Sequence, residues 1–183
     1  ITDTRFPIIP SFPFLLPPMS NIRIARAEPQ HIPLILSLVR ELAEFEKLLD
    51  QVTANEEQLK ASLFGERPYA EVLIAWVGEE AAGFALFFHN YSTFLAKPGI
   101  YLEVLYVRPP FRGAGCGKAL LIHLAQLAVQ RGCGRFEWSV LDWNQRAIDF
   151  YESLGAKPLD DWTMYRVTGE ALEKLARSDT PAG

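Results

Sequence analysis

Cysteine is scarce in this chain of 183 residues: only Cys116 and Cys133 occur. They form neither a C-x-x-C pair nor a zinc spacing, which favours a reducing, cytoplasmic location. Histidine is equally thin, and His31, His89 and His123 lie scattered. With no Cys/His/Asp cluster at ligand spacing, no metal site is expected. An excess of basic charge is also missing. The formal net charge is −4, which argues against a nucleic-acid partner and is compatible with a cationic substrate. Nor does any uninterrupted apolar run reach the length of a membrane span, so no membrane partner is expected. The most apolar stretch, "ITDTRFPIIPSFPFLLPP", is broken by Pro7, Pro10, Pro13, Pro17 and Pro18, and proline cannot continue a helix.

What is present suits one soluble domain: hydrophobic residues make up 49% and charged residues 22%, enough for a sizeable core. Residues 1–18 read as a Pro-rich leader, appended or upstream, without the basic start or cleavage site of a signal peptide. Met19 opens "MSNIRIARAEP" like a protein start, and 19–183 is expected to be a single domain. "NIRIARA" alternates like a strand. A helix follows on Leu34, Leu38, Leu42 and Phe45, with Pro33 in its first turn. A second helix is expected after an N-cap at Thr53, ending at Gly65. Strands are expected from Tyr69 to Val77, over "FALFFHNY" and from Gly99 to Val107. Then come a helix from Gly115 to Arg131, a strand "RFEWSVL", a short helix capped by Asn144, a last strand "WTMYRVT" and a last helix "GEALEKLA". This order predicts an α/β fold, a mixed central sheet with helices on both faces.

The informative stretch is "RGAGCGKAL", Arg112 to Leu120. Its glycines open a helix directly after a strand, the arrangement that lets main-chain N–H groups converge on a phosphate. Two phosphate loops fail on spacing. A Walker A loop would need glycine at Arg112 and Ser or Thr at Ala119. The dinucleotide pattern G-x-G-x-x-G fails because Gly113, Gly115 and Gly117 are spaced two apart. A tight strand-to-helix turn without a ligand is the plainer alternative.

The pattern that fits is R-x-x-G-x-G, and here the chain resembles the GNAT acetyltransferase superfamily. The downstream "VLDWNQRAIDFYESLGA" carries Asn144, Ala147, Phe150, Tyr151 and Gly155 at the family's spacing. Together with "LVRELAEFEKL" and "YLEVLYVRPPFRGAGCGKAL", these stretches are similar to the diamine acetyltransferases, the spermidine/spermine and thialysine-acetylating group. The resemblance implies a GNAT fold and acetyl-CoA as co-substrate. The implied cofactor contacts are Leu105, Tyr106 and Val107 of the strand, Arg112, Gly113, Ala114, Gly115, Cys116, Gly117 and Lys118 of the loop, and Asn144 and Ala147. It places substrate contacts at Phe45, Glu46, Glu103, Glu137, Trp138, Ser139 and Asp161. It also implies a homodimer. Cys116 reads as a small filler rather than a nucleophile.

The chemistry assigned on that basis is direct attack by a small primary amine. An alkylammonium has a pKa of about 10 and must lose its proton before attacking a thioester. Glu103 is the candidate to hold and deprotonate it, and Tyr151 the candidate acid for the departing thiolate. The bare alternatives are a solvent-facing strand residue and a packed helical aromatic. The diamine group usually carries Glu-Asp where this chain has Glu103-Val104, and the stretch from Gly155 to Trp162 is shorter. Both departures count against a long polyamine, and they put a thialysine-like amino acid or small diamine at least level with a diamine or polyamine of the group's usual kind. Acetylation of a protein or peptide, and a non-catalytic acetyl-CoA-binding module, are the alternative functions.

Overall fold

A computed structural model describes residues 21–178. The expectations about the leader and the Met19 start lie outside the described residues. Two compact units divide at Ser139 and Val140.

The first unit is a five-stranded sheet in the order β1-β2-β3-β4-β5. Strands β1 (Ile22–Arg26), β2 (Glu71–Val77), β3 (Glu80–Ser92) and β4 (Lys97–Val107) pair antiparallel in sequence. The short β5 (Phe136–Trp138) joins β4 in parallel. Gly78, with φ of +59°, turns β2 into β3. Near-continuous burial along β2, β3 and the first half of β4 shows why these runs are apolar rather than strictly alternating: helices cover both faces.

On one face, α1 (Ile32–Phe45) and α2 (Glu56–Phe64) bury Ile32, Ile35, Leu38 and Leu63 against Val72, Ile74, Phe84 and Tyr106. The cap of α2 differs from the expectation. It is Asn55, which accepts from the Gln58 amide at 2.9 Å while the Gln58 side chain returns the bond. Asn is as good a cap as Thr, and the glutamine completes the reciprocal box. The helix α3 (Cys116–Gln130) packs on the sheet and buries Leu120, Leu121 and Leu124.

The second unit holds α4 (Gln145–Ser153) and α5 (Gly169–Ala176). The expected strand "WTMYRVT" is not formed: 162–168 carries no sheet pairing, and Trp162 and Tyr165 stand 78% and 90% exposed. A strand needs a neighbour for its backbone groups, and periodicity cannot supply one. Among the described residues, no helix is long and apolar enough to cross a membrane.

Candidate active site

Where β4 ends, Val107 passes into Arg108, a 3-10 turn at Pro109–Phe111, and the glycine loop. Gly113 and Gly115 take φ of +85° and +94°, a region costly for residues with a Cβ. The chain therefore turns sharply into α3 with its amides outward. Ala119 donates to the Gly115 carbonyl at 2.9 Å, and Ala114 to Phe111 at 3.3 Å. Among the described residues, the N–H groups of Gly113, Gly115, Cys116, Gly117 and Lys118 have no backbone acceptor. They sit at the positive end of a 15-residue helix, which makes the loop a cradle for an anion. Cys116 is buried and burial pushes its thiol pKa up, the setting of an inert filler.

Beside the loop, β4 offers a free edge. β5 pairs only with Ile100, Tyr101 and Leu102. Among the described residues, that side of β4 has no strand partner beyond Leu102, and Leu105, Tyr106 and Val107 pair with β3 alone. The register slips between Leu86 and Phe87 and leaves Glu103 without an opposite residue, a β-bulge that marks where the strands part. An extended ligand could pair with this edge as a strand would.

The amine-side candidates fall differently. Phe45 closes α1 and Glu46 follows it. Burial raises the Glu46 carboxyl above its ordinary value. Glu103 is exposed on the bulge. Val104 packs against the α1–α2 core. Glu137 is not a bare anion: it accepts from Asn90 Nδ2 at 2.8 Å and lies 2.9 Å from Arg135 Nε. Ser139 shares a 2.7 Å hydrogen bond with the Tyr101 hydroxyl, and Trp138 packs on Phe136 at 4.9 Å between ring centroids.

The Arg112 side chain does not stand out over the loop. Its Nε donates to the Val107 carbonyl at 2.9 Å, and its guanidinium lies 4.5 Å from the centre of the Phe45 ring. Lys118 is the exposed cation of the loop.

In the second unit, Asn144 caps α4 through Oδ1, which accepts from the Ala147 amide at 3.3 Å. Tyr151 sits on α4 with its ring 5.5 Å from that of Phe150, and burial raises its phenol pKa. Asp161 is exposed.

Sequence reasoning missed the pair of Arg108 and Glu41, which lie 67 positions apart. It also missed the Asn90–Glu137–Arg135 cluster. No local signal announces either, because sheet register and helix packing create them.

Residues 36–156 match the acetyltransferase (GNAT) family. The chain belongs to the GNAT acetyltransferases. The match runs across both units. Among curated relatives, a thialysine N-epsilon-acetyltransferase of Sus scrofa is 40% identical, with 86% of this chain and 99% of the relative covered. An L-ornithine N5-acetyltransferase of Arabidopsis thaliana is 34% identical over 84% of this chain and 87% of its own. Among solved structures, an integron cassette protein from the mobile metagenome of V. cholerae superposes with a TM-score of 0.74 and 28% identity, covering 86% of this chain and 99% of that one. GNAT acetyltransferases use acetyl-CoA, and two observations of this chain suit it. Among the described residues, the loop amides have no backbone acceptor and one side of β4 has no strand partner beyond Leu102.

Proposed function

We propose that this GNAT enzyme acetylates a small primary amine, a thialysine-like amino acid or a short diamine, and that residues 19–183 act as one catalytic domain. The observation that carries the proposal is the set of unpaired loop amides beside the unpaired half of β4, in a chain 40% identical to a thialysine acetyltransferase. When bound, acetyl-CoA supplies the activated acetyl group. Everything else falls to the residues of this chain.

The loop amides and Lys118 hold negative charge, and the β4 edge aligns whatever lies along it. Glu103 and Glu46 attract an ammonium group. Glu103 is the candidate base, and Glu46, whose carboxyl burial lifts, is a second acceptor at the end of α1. With an acetyl group bound, a backbone N–H of the Leu105–Val107 edge would stabilise the charge developing on its carbonyl oxygen. Tyr151 carries its proton at neutral pH as any ordinary phenol does, and burial favours that uncharged state further, the state needed to protonate a leaving thiolate. Val104 supports a short substrate: it serves the apolar core and leaves one carboxylate fewer for a second ammonium. The engaged Glu137 works in the same direction.

The deciding experiment is acetyl-CoA turnover on thialysine, ornithine, short diamines, spermidine and lysine peptides in parallel. Thialysine or a short diamine is expected to give the highest kcat/KM. Rapid peptide turnover with silent free amines would transfer the chain to protein acetylation. Coenzyme binding with no turnover of any acceptor would make it a sensor.

We further propose a cytoplasmic homodimer. Two unbonded cysteines suit a reducing compartment. Trp162, Met164, Tyr165 and Val167 expose apolar surface suited to a second copy.

A further inference from the structure

We infer that Arg112 is a positioning residue for the amine rather than a phosphate ligand: its guanidinium, stacked on Phe45, ties the glycine loop to the end of α1. This inference rests on the reading that Phe45 and Glu46 receive the amine. The loop segment grips α1 at two points. Arg112 fixes its own side chain through Nε to the Val107 carbonyl at 2.9 Å and places its guanidinium carbon over Phe45, 4.5 Å from the ring centre, with the Tyr106 ring centre at 5.8 Å. One helical turn earlier, Glu41 takes Arg108 in a two-pronged bond, Nε to Oε2 at 2.9 Å and Nη2 to Oε1 at 2.6 Å. Glu41 and Phe45 are four apart on α1 and so share a face. Arg108 and Arg112 bracket the 3-10 turn that leads into the loop.

A loop that closes on a diphosphate therefore holds Arg112, and Arg112 holds the last turn of α1. Coenzyme and amine then bind synergistically, each strengthening the other by the same factor. Arginine is required for its flat face; lysine keeps the charge and loses the stack.

The test uses the full chain with coenzyme A as the probe. Calorimetry gives its Kd, amide hydrogen exchange follows residues 42–48, and steady-state kinetics give the KM for thialysine. In the wild type, saturating coenzyme A is expected to slow exchange at 42–48. Arg112→Lys should keep the coenzyme Kd within about twofold, abolish that slowing and raise the thialysine KM roughly fivefold at unchanged kcat. Phe45→Leu should likewise abolish the slowing of exchange by coenzyme A, and that exchange readout alone replaces Arg112→Lys if that variant does not fold. Absence of slowing in the wild type overturns the inference. So does an Arg112→Lys protein whose coenzyme Kd rises tenfold with exchange unaffected, because the guanidinium would then serve the diphosphate. A wild type inactive on thialysine would remove that acceptor, while the exchange data would still decide the coupling.

Discussion

Lys47 ends α1 with φ of +61°, a conformation that glycine adopts without a Cβ penalty. The Leu48 amide reaches back to the Ala43 carbonyl at 2.8 Å and the Lys47 amide to Glu44 at 3.1 Å, the paired bonds of a Schellman cap. Lys47→Gly is expected to stabilise the fold by up to about 1 kcal/mol, read from the denaturant midpoint. The same turn carries Phe45 and Glu46, so a rise in amine KM alongside the stability gain would show that the lysine is kept for the site. Tyr151 tests the chemistry at the same scale. Tyr151→Phe should lower kcat by about a hundredfold and leave the acetyl-CoA KM unchanged, as loss of a general acid does. Because burial raises the Tyr151 pKa, its protonated form persists to higher pH than in an exposed tyrosine. The basic limb of the wild-type kcat profile attributable to it should lie at higher pH than an exposed tyrosine would give.

Between elements, the glycine loop and the α1 tether make separate demands. A Cβ at Gly115 would meet the strain of φ +94° where α3 begins. Gly115→Ala should raise the acetyl-CoA KM roughly tenfold, the cost of about 1–2 kcal/mol for a left-handed residue, with the amine KM little changed. The tether of Glu41 to Arg108 is electrostatic. The Arg108 guanidinium holds the Glu41 carboxyl below the ordinary carboxylate range, chiefly by hydrogen bonding. On acidification the unfolded chain takes up that proton first. The contribution of the pair is complete above the ordinary carboxylate pKa and is lost as pH falls through the lowered value. Glu41→Gln should therefore be less stable than the wild type at neutral pH and nearly equal to it at the acid end, in urea titrations across that window. The loop was legible in the sequence because its glycines, its strand and its helix are contiguous. The tether was not, because Glu41 and Arg108 meet only when α1 lies on the sheet.

For the molecule as a whole, the exposed apolar residues of the second unit are the surface on which the proposed dimer is tested. Tyr165→Asp places a charge in that surface and is expected to shift the sedimentation coefficient from dimer to monomer; a wild type that already sediments as a monomer would end the dimer proposal. The segment around Tyr165 also marks where sequence reading stopped. "WTMYRVT" has strand composition, yet pairing is a property of two segments, and among the described residues this one pairs with none. The sequence by itself determined what depends on neighbours in the chain: α1 and α3, the strands up to Val107, the Asn144 cap and the glycine turn into α3. Backbone conformation and helix dipoles are local, so a motif can carry them. Tertiary structure alone decided which charges are spent and which remain available. It bound Glu137 to Arg135, turned Arg112 onto Phe45, parted β4 from β5 at Glu103 and raised Glu46. Desolvation and partnership at a distance settle those outcomes, and only a folded chain has either.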